Sequence, residues 1–351
     1  MKIIAYNEPK IHLENRIMHL TLESLKIKEL FGHKNINLNF SPVTVIVGKN
    51  GLGKTTILKI INSILNQEDS KELMLCSSAE LVFSNQQKIK FTNNKINSSK
   101  IKKNIEDVVR SEFLNKKEIK DKISKDLNIK LTTEDVQSLH KLITSMLVEE
   151  KINKIKQNKS SSFLYSDSID KFLKTTSRIR YISTINMSAN SQQHITRSDG
   201  KVGNFLDFEI QNEVSELVKL AKGKYTKLFI EEVNKLLLDS NKKIVINEDI
   251  YVYSTNLPKE KIELNCLSSG ERQLIYIMAT VANTNNSPTF LLMDEPEISL
   301  HLNWQERIID SIKAINPNCQ IIVVTHSPAI IMNGYMDSYI DMKDISEEME
   351  K

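Results

Sequence analysis

The sequence contains few of the residues that mark specialised protein classes. Its 351 residues include 9 glycines, 7 prolines and 3 cysteines, and aromatic residues make up 6%. This composition excludes a collagen-like or low-complexity chain and a disulfide scaffold. No run approaches the roughly 18 apolar residues that a membrane-spanning helix needs. The amino-terminal residues meet proline and charges before any signal-peptide core could form. We therefore expect a globular protein of the cytoplasm, with reduced thiols and no membrane partner.

The charge of the chain is nearly balanced. It carries 48 lysines and arginines against 44 acidic residues, a net charge of +4, which is small for a dedicated nucleic-acid-binding protein. Residues 100–160 concentrate 15 basic residues against 10 acidic ones. Such a stretch can follow a phosphate backbone, although a solvated helical surface gives the same pattern.

The apolar pattern predicts an α/β fold. Strand periodicity predicts strands at residues 25–30, 35–40, 43–47, 179–185, 289–293 and 320–324 and a hairpin over 80–91. Helical periodicity covers residues 55–65, 208–238 (broken at Gly223) and 274–281. Residues 98–176 contain no glycine or proline, and their pattern is helical and polar. We expect one α/β unit built from residues 1–98 and 177–351, interrupted by a helical insert at 99–176.

A phosphate-binding loop follows the strand at 43–47. Residues 48–55, GKNGLGKT, fit the pattern G-x-x-x-x-G-K-[ST] between a strand and a helix. In such a loop, backbone N–H groups surround the phosphates, the lysine reaches the β- and γ-phosphates, and the hydroxyl binds Mg²⁺. The predicted nucleotide-binding residues are Gly48, Asn50, Gly51, Gly53, Lys54, Thr55 and Thr56.

Two adjacent acids follow the buried strand at 289–293. Asp294 can hold Mg²⁺ together with Thr55, and Glu295 can polarise the water that attacks the γ-phosphate. The strand at 320–324 ends just before His326. We expect His326 beside the same γ-phosphate, so Glu295 and His326 are the predicted catalytic residues.

Residues 267–273, LSSGERQ, precede an apolar helix. Small residues and a glycine at a helix N-terminus can form an anion site. Alternatively, Ser268 or Ser269 is an ordinary N-cap with Glu271 in the first turn of the helix. On the pattern alone, the N-cap interpretation is favoured.

Four segments in this order resemble ABC-type ATPases: GKNGLGKT, LSSGERQ, FLLMDEPEISLH and VVTHSP. The chain is more similar to the RecF, SMC and OLD-like group than to transporter subunits, over residues 20–65 and 260–330. The resemblance implies a P-loop head, with a mixed sheet and flanking helices, that pairs with a second head around two ATP molecules and Mg²⁺. It also implies that a signature of Ser268, Ser269, Gly270 and Glu271 contacts the ATP bound by the other head, and that residues 297–301 form the D-loop.

Two further family features have more than one candidate. The Q-loop glutamine is expected either at Gln192 and Gln193 or at Gln86 and Gln87. Phe31 and His33 are candidates to lie against adenine. For Phe31 the alternative is that it forms part of the core.

The last third of the chain resembles stand-alone ATPases of bacterial anti-phage systems, including that of the PARIS system. This implies an ATP-driven switch that forms a homodimer or a larger homo-oligomer and controls a separate nuclease or toxin. The alternative is a RecF-like DNA-binding ATPase of repair or recombination, with phosphate contacts from Lys100, Lys102, Lys103, Lys116, Lys117 and Lys120. The third possibility is a transporter subunit, against which the long separation between Gly48 and Leu267 argues.

Overall fold

The computed structural model describes residues 19–93, 161–183, 194–196, 202–220, 223–246, 250–256 and 260–349. Its strands are β1 Leu22–Leu30, β2 Lys34–Asn39, β3 Val43–Val47, β4 Ser78–Phe83, β5 Lys88–Asn93, β6 Ser161–Leu164, β7 Arg178–Ser183, β8 His194–Thr196, β9 Val202–Asn204, β10 Lys242–Ile246, β11 Ile250–Ser254, β12 Lys261–Ile262, β13 Thr289–Asp294, β14 Cys319–Val324, β15 Tyr339–Asp341 and β16 Ser346–Glu348. Its helices are α1 Lys54–Asn66, α2 Asp167–Lys171, α3 Phe205–Leu220, α4 Lys224–Leu237, α5 Ser269–Ala282, α6 Leu302–Ile315 and α7 Ala329–Met332.

A parallel sheet in the order β15-β3-β14-β13-β7 forms the centre of the fold. Every residue of β13 and β14 is buried, as expected for strands covered on both faces. In register, Asp294 pairs with Val324 of β14 and with Ser183 of β7. The carboxyl ends of β3, β14 and β13 therefore lie side by side.

One face of this sheet packs on α1. Beyond α1 lies an antiparallel sheet in the order β16-β2-β1-β4-β5-β6. Ile57 and Ile61 of α1 share a buried cluster with Leu292 of β13 and Leu81 of β4. Helix α1 is thus held between two sheets, and this packing fixes the helix that begins at the end of the phosphate loop.

The opposite face packs on helices α3 to α6. Helix α5 lies in their midst and contacts the other three. Leu291 and Met293 of β13 join Leu274 and Ile277 of α5 in this second core. The indole of Trp304 in α6 donates to the carbonyl of Leu236 in α4 at 2.8 Å. Successive residues of β13 thereby enter different cores, which explains its uninterrupted apolar sequence.

The predicted fold class is confirmed, and two local predictions need correction. The helical pattern was extended to residue 176, but Ser161–Leu164 is strand β6, paired in register from Asn93↔Ser161 to Lys90↔Leu164. The Phe163 ring packs on Phe91 at 5.3 Å between centroids, and this cross-strand contact outweighs local periodicity. Residues 165–176 of the predicted insert are described and include α2, while residues 99–160 lie outside the described residues. The second correction is a small sheet, β10-β11-β12, that the sequence interpretation omitted.

Two smaller expectations concern thiols and membranes. Cys76, Cys266 and Cys319 are all free thiols, as predicted. Within the described ranges, no helix is both long enough and apolar enough to cross a membrane.

Candidate functional site

The phosphate loop (residues 48–55) connects β3 to α1. Gly53 has φ of 96°, and a Cβ atom there would lie 3.0 Å from the Phe31 ring, so the loop needs glycine at this position. The Lys54 side chain is folded back over the loop, where Nζ donates to the carbonyls of Gly48 at 2.7 Å and Lys49 at 3.2 Å. Asn50 and Gly51, at the tip, are exposed. The loop thus presents backbone and one ammonium group at the sheet edge.

Asp294 connects the phosphate loop to the central strand. Thr55 Oγ1 donates to Asp294 Oδ1 at 2.9 Å, and the Tyr181 hydroxyl lies 3.5 Å from Asp294 Oδ2. Burial raises the pKa of Asp294, and the Glu295 charge adds to this against the Thr55 hydrogen bond. Two hard oxygen donors held this close are the ligand type that Mg²⁺ prefers, so these residues fit a magnesium ion.

His326 lies between Lys54, a predicted nucleotide-binding residue, and Glu295, the other predicted catalytic residue. Its Nε2 is 2.9 Å from Lys54 Nζ and 3.3 Å from Glu295 Oε1. Both contacts use the same ring nitrogen, so they are alternatives: the neutral Nδ1–H tautomer accepts from Lys54, and a ring protonated at Nε2 donates to Glu295. Burial lowers the pKa of Lys54, while Glu295, Asp294 and Glu297 oppose that shift.

The signature segment (residues 267–273) starts helix α5. Ser268 is its N-cap, and it forms a reciprocal capping box with Glu271. Lys242 Nζ lies 2.9 Å from both carboxylate oxygens of Glu271, which is 3% exposed. Burial by itself raises the pKa of Glu271, but Lys242 and the Ser268 amide hold it below its ordinary value. The N-cap interpretation is therefore correct for Ser268, and Ser269 opens the helix with its side chain half-buried.

The acidic turn (residues 294–301) joins the signature segment to the phosphate loop. A Cβ atom on Gly270 would lie only 2.2 Å from the carbonyl oxygen of Ser299, whose φ is 74°. Gln273 Nε2 donates to the Pro296 carbonyl at 2.6 Å. The residues that the sequence assigned to the D-loop are thus packed directly against the start of α5.

A cavity of about 430 Å³ opens beside the signature segment. It is bounded by Ser268 and Glu271 of α5 and by the first turn of α6, and Lys242 lines it. The His301 ring stands edge-on to Trp304 at 5.5 Å. Leu302 at the rim is 59% exposed. The cavity therefore combines charged and polar side chains, such as Lys242 and Ser268, with the exposed apolar side chain of Leu302.

The structure separates the Q-loop candidates. Gln86 donates to Glu23, and Gln87 donates to Ser168. Both glutamines lie near the start of β1, whose Leu22 amide donates to Gln320 near the start of β14. The site is at the opposite, carboxyl end of β14, so the prediction of Gln86 and Gln87 as Q-loop residues is wrong. Gln192 and Gln193 lie outside the described residues, and they follow the carboxyl end of β7.

The predicted aromatic residues lie near the phosphate loop. Phe31 is 39% exposed and rests against Gly53, so it is not a core residue. His33 is exposed, with Nδ1 3.1 Å from the carbonyl of Phe31. Contact of either side chain with adenine stays a prediction.

Two side chains at the site were missed. Tyr181 and Lys242 come from elements distant in sequence from their partners, and no local pattern marks them.

The fold and these contacts define a P-loop nucleotide-binding protein of the ABC-ATPase head type. A family model described as "AAA domain, putative AbiEii toxin, Type IV TA system" matches residues 43–333. The chain belongs to this family.

Curated relatives are similar at modest identity. The Septu protein PtuA of Bacillus thuringiensis is 25% identical over 341 residues, which cover 92% of this chain and 75% of PtuA. The retron Vc95 probable ATPase of Vibrio cholerae serotype O1 biovar El Tor is 27% identical over 109 residues, 30% of this chain and 21% of that protein. Among solved structures, the SMC head domain from Thermotoga maritima aligns over 94% of this chain and 98% of its own, with 15% identity and a TM-score of 0.45.

Proposed function

We propose that the protein is an ATPase that dimerises around Mg-ATP and switches a separate effector in anti-phage defence. The observation that carries the ATPase assignment is the meeting of Lys54, Thr55, Asp294, Glu295 and His326 at the carboxyl ends of three adjacent strands. Relatives from a Septu system and a retron system support the defence assignment. Action in the cytoplasm, where ATP is available, is part of the proposal.

The phosphate loop and Asp294 would hold the nucleotide and its metal. Lys54 releases the carbonyls of Gly48 and Lys49 and donates to phosphate oxygens, while Thr55 and Asp294 supply oxygen ligands to Mg²⁺. A bound Mg²⁺ supplies positive charge at the phosphates. The raised pKa of Asp294 favours an incoming cation, because the cation stabilises the carboxylate that burial disfavours.

Glu295 and His326 are proposed to carry out hydrolysis. Glu295 follows β13 with φ of 49°, a backbone conformation that costs energy in a residue other than glycine and is found at functional sites. Its carboxylate would orient and deprotonate the attacking water. His326, which contacts Lys54 and Glu295 in turn, would donate to the γ-phosphate when ATP is present.

Closure of two heads would complete each site. Ser268, Ser269 and Gly270 lie at the N-terminal end of α5, where the helix dipole favours an anion, and we propose that they meet the ATP of the other subunit. The packing of Gly270 on Ser299 would transmit that contact to the acidic turn of the same chain. ATP binding then favours the closed state and hydrolysis the open one, which is the basis of a two-state switch.

The first test compares Glu295→Gln with the wild type. We expect the variant to bind Mg-ATP with unchanged affinity and to hydrolyse it at least about 100-fold more slowly. Lys54→Ala should instead lose ATP binding, and it serves as the matched negative control. Turnover at the wild-type rate in Glu295→Gln would refute the assignment of the base.

The second test purifies Glu295→Gln with Mg-ATP from its native host and measures particle mass by light scattering. A complex of at least two copies that carries a nuclease or toxin subunit is expected. A monomer in saturating Mg-ATP would refute dimerisation. A dimer that carries nuclease-sensitive DNA would favour the RecF-like alternative, whose proposed lysines lie outside the described residues.

A further inference from the structure

Residue Glu297 sits at a point where the parallel sheet loses a backbone hydrogen bond. Beyond the strand ends, the Glu295 amide still donates to the Val324 carbonyl at 2.7 Å, and the Thr325 amide donates to the Ile46 carbonyl at 3.1 Å. The next bond of a regular parallel ladder would run from the His326 amide to the Glu295 carbonyl. In this structure the Glu295 carbonyl instead accepts from the Ile298 amide at 3.2 Å in the acidic turn.

The side chain of Glu297 replaces the missing acceptor. Its Oε1 accepts from the His326 amide at 2.7 Å, a short bond of the charge-assisted kind. The neighbouring residue is also tethered, by a hydrogen bond between two neutral side chains: Ser327 Oγ donates to Gln305 Oε1 at 2.6 Å. His326 and Ser327 are thus each held by a side chain from another segment, Glu297 of the acidic turn and Gln305 of α6.

Stability does not account for a carboxylate at this position. Glu297 Oε2 is buried and accepts no hydrogen bond, and a buried acceptor without a partner costs free energy. Glu297 also shares the site with two other carboxylates, those of Asp294 and Glu295, and all three act on Lys54. His326 is itself an exposed residue, so we expect water to replace the carboxylate as acceptor in a variant that lacks it. Local costs of this kind are expected where position matters more than stability.

We propose that Glu297 is a positioning residue that sets the distance of the His326 imidazole from Lys54 and Glu295. The inference rests on the hydrolytic function proposed above. Displacement of the His326 backbone would move Nε2 away from two partners that now lie at 2.9 and 3.3 Å. A misplacement of about 1 Å is enough to slow an enzyme substantially.

The kinetic test uses Glu297→Ala and the rescue variant Glu297→Gln, whose amide oxygen can still accept from the His326 amide. We expect Glu297→Ala to lower kcat at least about tenfold with an unchanged Kd for ATP, and Glu297→Gln to recover most of that loss. In a His326→Ala background, Glu297→Ala should change kcat less than about twofold, because residues that act through one another are not additive. Glu260→Ala, at an exposed acid, is the matched control.

A second measurement does not depend on hydrolysis. In protein labelled with ¹⁵N-histidine, the His326 amide signal, assigned by its loss in His326→Gln, should lie downfield and move upfield in Glu297→Ala. The melting temperature of Glu297→Ala should stay within about 2 °C of the wild type, since an exposed amide can turn to water.

Each outcome decides the proposal. An unchanged amide signal in Glu297→Ala, a kcat for Glu297→Gln as low as that of Glu297→Ala, or additive losses with His326→Ala would each overturn it. If the wild type does not hydrolyse ATP, the proposed function fails, and the amide signal alone then decides whether Glu297 positions His326.

Discussion

Gly270→Ala would test the contact between the signature segment and the acidic turn. The new Cβ atom would lie 2.2 Å from the Ser299 carbonyl oxygen and 3.2 Å from Trp304 Cζ3. Since ordinary van der Waals contacts of a Cβ atom begin at 3.4 Å, the turn must move by roughly 1 Å. Ser299 has φ of 74°, so its backbone has little freedom to adjust without further strain.

Two opposing effects set the magnitude. Alanine is better than glycine inside a helix by about 1 kcal/mol. Overpacking against backbone atoms costs about 1–3 kcal/mol and can cost more, and a contact this short belongs at the upper end of that range. We therefore expect Gly270→Ala to lower the free energy of unfolding by about 2 kcal/mol, or the melting temperature by roughly 3 °C.

Thermal unfolding of the nucleotide-free protein is the assay, and Ser269→Ala is the control because it lies in the same helical turn. The shifted turn should also lower kcat in Gly270→Ala while the Kd for ATP stays unchanged, because the phosphate loop is on another element. Equal or higher melting temperature in Gly270→Ala than in Ser269→Ala would refute the argument from the 2.2 Å contact.

Two further predictions concern buried charges. Lys242→Ala should destabilise the protein by at least about 2 kcal/mol, because Glu271 would keep a buried charge without its cation. Lys243→Ala, at the exposed neighbouring position, should change stability by less than about 0.5 kcal/mol. The pKa of Glu271 is lowered in the folded protein, so the ion pair stabilises the fold above the ordinary pKa of a glutamate, and this stabilisation is lost as pH falls through the lowered pKa. Urea titrations should therefore show the free energies of unfolding of Lys242→Ala and Lys243→Ala converging on acidification. A difference between the two variants that does not change with pH would contradict this. Asp294→Asn should raise the melting temperature at pH 8 by roughly 2 °C, since it removes a charge that burial disfavours. Because the pKa of Asp294 is raised, the wild-type carboxyl binds a proton as pH falls through that pKa, and the difference in melting temperature between Asp294→Asn and the wild type should shrink. Equal melting temperatures at pH 8 would show that the Asp294 charge does not destabilise the fold.

Local sequence was sufficient for the central strands and the phosphate loop. Residues 289–293 and 320–324 are continuously apolar because both faces of the sheet are covered, and this burial is what the pattern reports. The glycines of residues 48–55 and the lysine that follows them are required by the loop itself. The positions of Asp294 and His326 then followed from one rule, that the carboxyl ends of parallel strands meet at one edge.

Contacts between distant elements could not be predicted in this way. Lys242 reaches Glu271 across 29 positions, and Tyr181 reaches Asp294 across 113. Gln86 was a reasonable candidate by residue type, but the antiparallel sheet carries it to the wrong end of the molecule. Strand β6 was mistaken for helix because its pairing partner, rather than its own sequence, determines its conformation.

The pairing of β5 with β6 has a consequence for how members of this family can diverge. Asn93 and Ser161 are register partners, so the chain leaves the antiparallel sheet and re-enters it at neighbouring points. The entropy of closing a loop grows only logarithmically with its length, and the strand ends meet whatever joins them. The pairing of β5 with β6 therefore sets no geometric limit on the length of the chain that joins them. The ATP site is fixed by other strands, β3, β13 and β14, so the two parts of the fold can change independently in sequence.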